Sequence, residues 1–322
     1  MAQVSGTTDT IDLVGVAEDV EDAIFNISPT ETPFLTMAKR KDASNITHQW
    51  QTDALAAAAA NRTIEGDDAT FVTATPTVML QNRLQIARKT LIVSDTADVV
   101  RKYGRARETA RLLVKYGKEL KRDMEFALVT NQASSIGGSS TARSSAGMES
   151  MIAGNRIIAS GNTTGTTPGY GGADWTTPTD GTATVTVTEA LLKSGIQAAW
   201  DDGGDPSVIM IPYAQKGQIA TFTGAAKYAG AYTNNGRAQA ALIGAVDVYI
   251  SDAGDHKLML NRYVRTRTIL GIDPEYWSVA FLRGIRSVPL AKTGDATKSM
   301  LLAEFCLVGD NPDSSFKLQD MA

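Results

Sequence analysis

Residues Ser94–Gln132 read SDTADVVRKYGRARETARLLVKYGKELKRDMEFALVTNQ, and the fold turns on how this stretch is read. It contains no proline, and Ser94-Asp95 offers the chemistry of a helix N-cap. Val99, Tyr103, Ala106, Ala110, Leu113, Gly117, Leu120, Met124 and Ala127 follow one another at alternating steps of four and three. That spacing draws one stripe along an α-helix over residues 94–132. At 1.5 Å of rise per residue such a helix is about 55 Å long. Ala106, Ala110 and Gly117 sit in the middle of the stripe, where small side chains let another backbone approach. The opposite face is basic, with nine Lys or Arg against two Glu between Arg101 and Arg122. A coiled coil is one reading; a spine laid across a sheet is the one this single long stripe predicts.

The segment before the helix has a different period. In NITHQWQT, Ile46, His48 and Trp50 alternate with Thr47, Gln49 and Gln51, and Val78, Leu80, Leu84 and Ile86 also step by two around a polar Asn82. These are strand patterns. The small, polar residues between them carry turn chemistry at EGDD, Glu65–Asp68. The prediction is an extended hairpin. Because an isolated two-stranded ribbon is marginal in water, it should lie on something else.

Nearer the N-terminus, IDLVGVAEDVEDAIFNI (residues 11–27) spaces its apolar residues as one short amphipathic helix. SPTETPFLTM (Ser28–Met37) follows, an apolar plug held extended by Pro29 and Pro33. Ahead of Lys39 there are seven acids and no Lys or Arg, so this arm carries −7 and the rest of the chain +3. Such asymmetry marks an interaction arm.

Beyond the helix, residues 160–184 contain 15 Gly or Thr among 25, which predicts a surface loop or insertion. A mixed α/β region comes next. Thr188 caps the helix EALLKSGIQAAW, SVIMI is the continuous apolar run of a strand buried on both faces, and another helix starts after Pro212. AVDVYIS, HKLMLN, WSVAFL, IRSVPLA and SMLLAEFCLVGD then read as strands, the last three returning to pack on the long helix.

Composition narrows the function classes. With 43% hydrophobic and 20% charged residues the 322-residue chain is an ordinary globular one, long enough for roughly two domains of core. Residues 1–30 offer no signal-peptide core, and the longest simple apolar run, ALAAAAA, is far short of a membrane span, so a soluble protein with no membrane partner is expected. The single Cys306 has no disulfide partner and reads as a packed thiol. The two histidines, His48 and His256, have no second His or Cys at metal-ligand spacing. Nucleophile-elbow, zincin and P-loop motifs are all absent. EGDD and DDGGD lack the ligand alternation of a calcium loop and read as turns, and GGSSTARSSAG reads as a connector. No cofactor and no catalytic or metal-binding residue is expected.

Taken together, EDVEDAIFNISPTETPFL (Glu18–Leu35), IARKTLIVSDTAD (Ile86–Asp98), GKELKRDMEFAL (Gly117–Leu128) and TARSSAG (Thr141–Gly147) resemble the major capsid proteins of tailed bacteriophages. The resemblance covers most of the first 150 residues and continues as element order alone. It implies an α+β Hong Kong 97-type (Johnson) capsid fold. Residues 1–43 would be the N-terminal arm and 44–93 the extended E-loop. The spine helix and connector at 94–150 and the returning strands at 274–322 would form the peripheral domain, with 151–273 as the axial domain. The arm would dock Phe34, Leu35 and Met37 on a neighbouring subunit. Arg62, Glu65, Asp67 and Asp68 would form the E-loop tip.

The function implied is a shell subunit that self-assembles as pentamers and hexamers around double-stranded DNA, in a virion head built in the bacterial cytoplasm. Its partners would be itself, a separate scaffolding protein, a portal and a decoration protein, with non-specific contact to DNA and no covalent cross-link. Electrostatic help from the acidic arm beside the helix's basic face would make assembly at low salt sensitive to neutralising Glu18, Asp19, Glu21 and Asp22. A bacterial encapsulin-like nanocompartment shell is the other reading of the same fold, and an enzyme is a third that no residue constellation supports.

Overall fold

The structure is a computed structural model that describes residues 31–68, 71, 73–158, 169–222 and 248–322. The acidic helix expected over 11–27, the first residues of the plug and the start of the Gly/Thr-rich insertion lie outside the described residues. Among the described residues the elements in chain order are α1 (Pro33–Met37), β1 (Lys39–Asp42), β2 (Thr47–Thr52), β3 (Val78–Arg83), β4 (Gln85–Ser94), α2 (Asp95–Val99), α3 (Glu108–Val129), α4 (Met148–Met151), β5 (Arg156–Ile158), β6 (Gly169–Tyr170), β7 (Trp175–Thr176), α5 (Glu189–Asp201), β8 (Val208–Ile211), α6 (Tyr213–Ile219), β9 (Val248–Ser251), β10 (Gly254–Leu260), β11 (Thr268–Ile272), β12 (Trp277–Pro289), β13 (Ala296–Gly309) and β14 (Phe316–Gln319).

Two sheets organise the chain. The first is four-stranded, in the order β1-β12-β13-β4, with β12 and β13 forming a long antiparallel hairpin. The second is six-stranded, in the order β5-β14-β11-β8-β10-β9. The β8 run behaves as its composition demands. Ile209 and Ile211 face the core under α5 and α6, while Val208 and Met210 face the core shared with α3 and α4. A strand covered on both faces has no polar side to present. Thr188 caps α5, its side chain accepting a hydrogen bond from the Leu191 amide.

The spine is shorter than its stripe predicts. Ser94 does cap a helix, but that helix, α2, stops at Val99, and α3 starts only at Glu108. Between them Gly104 takes φ +71, a left-handed conformation that ends helices and that glycine adopts without strain. Asp98 in α2 then serves α3, its Oδ1 accepting a hydrogen bond from the Thr109 amide at 3.0 Å, which holds its carboxyl below the usual range. The resulting 22-residue helix is about 33 Å long. Only its second half is stripe-faithful. Leu120, Met124 and Ala127 are buried, Leu113 and Gly117 half-buried, and Ala110 and Ala106 exposed. Val99 is 86% exposed, and Tyr103 is exposed as well.

The helix lies on the face of the first sheet that carries Leu301, Ala303 and Phe305. Lys89 of β4, on that same side, reaches Asp123 at 2.7 Å. The far face holds a smaller cluster of Leu84, Ala280, Cys306 and Val308, where burial pushes the Cys306 thiol up to about 12.

The strand pairing groups three segments differently from the sequence reading. Residues 39–42, assigned to the arm, form the edge strand β1, parallel to β12. The strand β4, assigned to the hairpin, belongs to the first sheet. The last strand, β14, crosses to the second sheet, between β5 and β11, so the C-terminal segment does not all return to the spine. A turn at Pro312–Ser314 redirects the chain there. The insertion also departs from expectation. Its described part folds into the β6–β7 hairpin, with Trp175 buried, and Asp180 holds Arg265 at 2.9 Å. Arg265 in turn pairs with the buried Glu149 at 2.8 Å, and the Lys317 amine donates to the Glu149 carbonyl. Burial pushes Lys317 down to about 7, against the pull of the Glu149 charge.

The phenyl ring of Phe316 is seated between two glycines, Gly195 of α5 and Gly271, its partner in β11. A Cβ at Gly271 would stand 2.0 Å from the ring's Cε1. Gly271→Ala is therefore expected to cost about 1–3 kcal/mol through overpacking. Denaturant melts should show the loss, and combination with Phe316→Leu should recover part of it.

Candidate assembly interface

A ribbon leaves the two-sheet body. The ribbon is β2 paired antiparallel with β3, extended by residues 53–77, which form no further strand among the described residues. Its root is heavily tied. Asn82, the polar residue that interrupts the alternation, donates from Nδ2 to the Leu307 carbonyl at 2.7 Å. Its Oδ1 accepts from the amides of Ala146 (2.9 Å) and Arg83 (2.8 Å). Arg83 pairs with Asp174 at 3.0 Å, and the Trp175 indole donates to the Gln81 carbonyl at 2.8 Å. The buried polar groups of Asn82, Arg83 and Gln81 are thus paired with the body, while the Trp50 indole nitrogen at the same root is buried without a partner.

Beyond that root the ribbon is unsupported. The tip turns at Gly66 with φ +84, closed by the Asp67 amide donating to the Ile64 carbonyl at 3.1 Å. Arg62, Glu65, Asp67 and Asp68 are all exposed there, as expected of a tip. Leu55 is 99% and Phe71 100% exposed, and Ile64 is exposed too.

The arm's plug is a correction to the sequence reading. Phe34 and Leu35 are buried in their own chain, in the core shared with α3, and Met37 packs half-buried beside them. They are not free to dock on another subunit. Glu125, on the inner face of α3, explains the anchorage. Its Oε1 accepts from the Phe34 amide at 2.9 Å and its Oε2 from the Leu35 amide at 2.7 Å, while Asn261 Nδ2 donates to Oε1 at 2.7 Å. Pro33 opens α1, and a carboxylate satisfies the free amides that follow it. Burial raises the Glu125 pKa above the usual carboxylate value, opposed by the Leu35, Phe34 and Asn261 hydrogen bonds. The sequence signal for this anchorage is an acid next to Met124 on the apolar side of the helix.

No group of three or more His, Cys, Asp or Glu among the described residues is placed to hold a metal. His256 is buried, with Nδ1 2.7 Å from the Pro206 carbonyl oxygen and Nε2 2.7 Å from Ser251 Oγ. Ser251 Oγ also accepts from the Ala253 amide at 3.1 Å, so the pair closes the β9–β10 turn. No helix of the described residues is long and apolar enough to cross a membrane.

The comparisons with known proteins agree with this architecture. The SU10 major capsid protein family matches residues 3–322. The major capsid protein of Escherichia phage Phieco32 is 27% identical over 327 residues, covering 90% of each chain. Among solved structures, the cyanophage A-1(L) capsid subunit superposes with a TM-score of 0.67 at 13% identity, over 97% of this chain and 98% of that one. The cyanophage P-SCSP1u capsid gives 0.59 at 12% identity, over 98% and 99%. The SrpI encapsulin of Synechococcus elongatus gives 0.56 at 8% identity, over 95% and 92%. That last likeness shows the fold alone, whereas the family match covers nearly the whole chain and decides between the two kinds of shell. The chain belongs to the SU10 major capsid protein family, and is a tailed-phage major capsid protein of the Hong Kong 97-type fold, a structural subunit of the virion shell.

Proposed function

We propose that the β2–β3 ribbon is an E-loop that lies over an adjacent copy of the chain and links subunits into pentamers and hexamers. The exposed apolar side chains at Leu55, Ile64 and Phe71, on a ribbon whose root is rigid, carry this reading. Burying each in a neighbour contributes about 1.5–3 kcal/mol, weak singly but multiplied around a closed shell. The spine helix and first sheet form the peripheral domain, and the second sheet with α5 and α6 forms the axial domain. The shell encloses double-stranded DNA, touched without sequence preference, and is built in the host cytoplasm with a separate scaffolding protein, a portal and a decoration protein.

Replacing residues 54–76 with a short turn tests the ribbon. The shortened chain should keep the parent's folded spectrum and denaturation midpoint, because the described residues among those removed are exposed. It should form no shells or capsomers by negative-stain electron microscopy with its scaffold. Normal shells from the shortened chain would overturn the proposal.

A further inference from the structure

The described part of the Gly/Thr-rich insertion bridges the ribbon and the second sheet. Its β6–β7 turn grips the ribbon root. Gln81 Nε2 donates to the Ala173 carbonyl at 2.7 Å, Arg83 Nε to Asp174 Oδ1 at 3.0 Å, and the Trp175 indole to the Gln81 carbonyl at 2.8 Å. Trp175 is itself buried in the core shared with α3 and α4, so the turn has a fixed footing. A few residues on, the same segment is fastened to the second sheet. Gln319 of β14 donates from Nε2 to the Thr179 carbonyl at 2.9 Å, and the Arg265 guanidinium donates to both oxygens of Asp180 at 2.9 Å. Arg265 is held in turn by the buried Glu149, whose Oε2 also accepts from the Thr268 hydroxyl of β11 at 3.3 Å.

We infer that residues 173–181 are a strut that fixes the direction of the ribbon relative to the second sheet, with Asp174 and Asp180 as its positioning residues. The inference rests on the E-loop reading above and names what aims the loop. The span leaves little slack, since the six steps from Asp174 to Asp180 reach at most about 22 Å when fully extended. Both ends are carboxylate–guanidinium contacts, and the fork on Asp180 is bidentate, which sets orientation as well as distance. The other tie at the ribbon root, Asn82, reaches Leu307 of the first sheet and Ala146 of the connector. A displacement of the second sheet is therefore passed to the ribbon through the strut, along a contiguous path of packed and hydrogen-bonded residues.

Distance measurements test this. Spin labels at Gln51→Cys in β2 and Gln197→Cys in α5, both exposed, report the separation of ribbon and second sheet by double electron–electron resonance in the unassembled full-length chain; Cys306 stays in place because it is buried. Asp180 pairs with Arg265 and Arg267, neither of them in the ribbon. Asp180→Ala should nonetheless broaden the distance distribution about twofold, as should Asp174→Ala, and the double variant should broaden it no further, because the two links lie in series within one network. The Asp174 and Asp180 side chains are 38% and 31% exposed, so neither substitution empties a core site, and Asp180→Asn repeats the measurement with the side-chain volume kept. Amide exchange within β2 and β3 should stay at the parent's rate in every variant, which a general loosening of the fold would not allow. A distribution of parental width in Asp180→Ala would overturn the strut, and so would broadening that adds up in the double variant. The E-loop reading fails separately: normal shells from the chain shortened at 54–76 would remove it and leave the distance result standing.

Discussion

Phe34→Ala should lower the folding stability of the unassembled chain by about 3–5 kcal/mol, the cost of emptying a fully buried aromatic site. Phe34 belongs to the core cluster that also holds Leu128, Phe305 and Trp277, and has no exposed surface. Truncation leaves a cavity among elements held by both sheets, so the site has little room to collapse. Urea denaturation of the unassembled subunit, followed by tryptophan fluorescence, measures the change as a fall in midpoint with little change in slope. The experiment also separates two roles for the plug. If Phe34 served a neighbouring subunit, the isolated chain would melt normally and only assembly would suffer. An unchanged midpoint would therefore overturn the intramolecular placement described here.

Glu125→Ala should be nearly as damaging, at about 3 kcal/mol or more. It strands two backbone amides and the Asn261 side chain inside the protein, each of which costs about 1–3 kcal/mol when left without an acceptor. Glu125→Gln should lose less, since its single carbonyl oxygen still serves some of the donors. The pH dependence gives a second readout. Because burial raises the carboxyl's pKa in the folded state, the folded chain binds a proton more readily than the unfolded one between the ordinary glutamate value and the raised value. The contribution from this group is thus fully present below the unfolded value and lost as pH rises through the folded one. The wild-type chain should gain stability as pH falls into that window, and Glu125→Gln should lack that gain. Amide exchange at Phe34 and Leu35 supplies a local check: both should be protected in the wild type and fast in Glu125→Ala. Protection that survives the alanine would mean the amides have another acceptor.

These two substitutions concern the residues whose sequence reading failed, and the reason is physical. The plug's apolar character was legible, but apolar residues bury equally well in their own core or in a neighbour's. What decides is Glu125, 91 residues away in sequence from Phe34, and no local pattern reports such a pairing. The helix stripe failed for a different reason. Steps of three and four continue through Val99 and Tyr103, but periodicity says only which side chains would share a face if the backbone stayed helical. The backbone turns extended at Val100, and Gly104 takes a left-handed conformation before α3 begins at Glu108.

Local chemistry determined much by itself. The buried β8 run, the Thr188 cap, the period-two hairpin and the packed Cys306 were each visible because short-range rules govern them. The charge split between arm and body needed only counting, and the four capsid-like segments pointed to the family before any coordinates were considered. Tertiary structure alone decided which strands share a sheet: that β14 crosses to the second sheet, that β1 adds to the first, and that Arg88 and Arg286 meet across Leu302. Pairing between strands depends on backbone hydrogen bonds that carry no side-chain signature, so residues some 200 positions apart become neighbours without any mark in the sequence that they will.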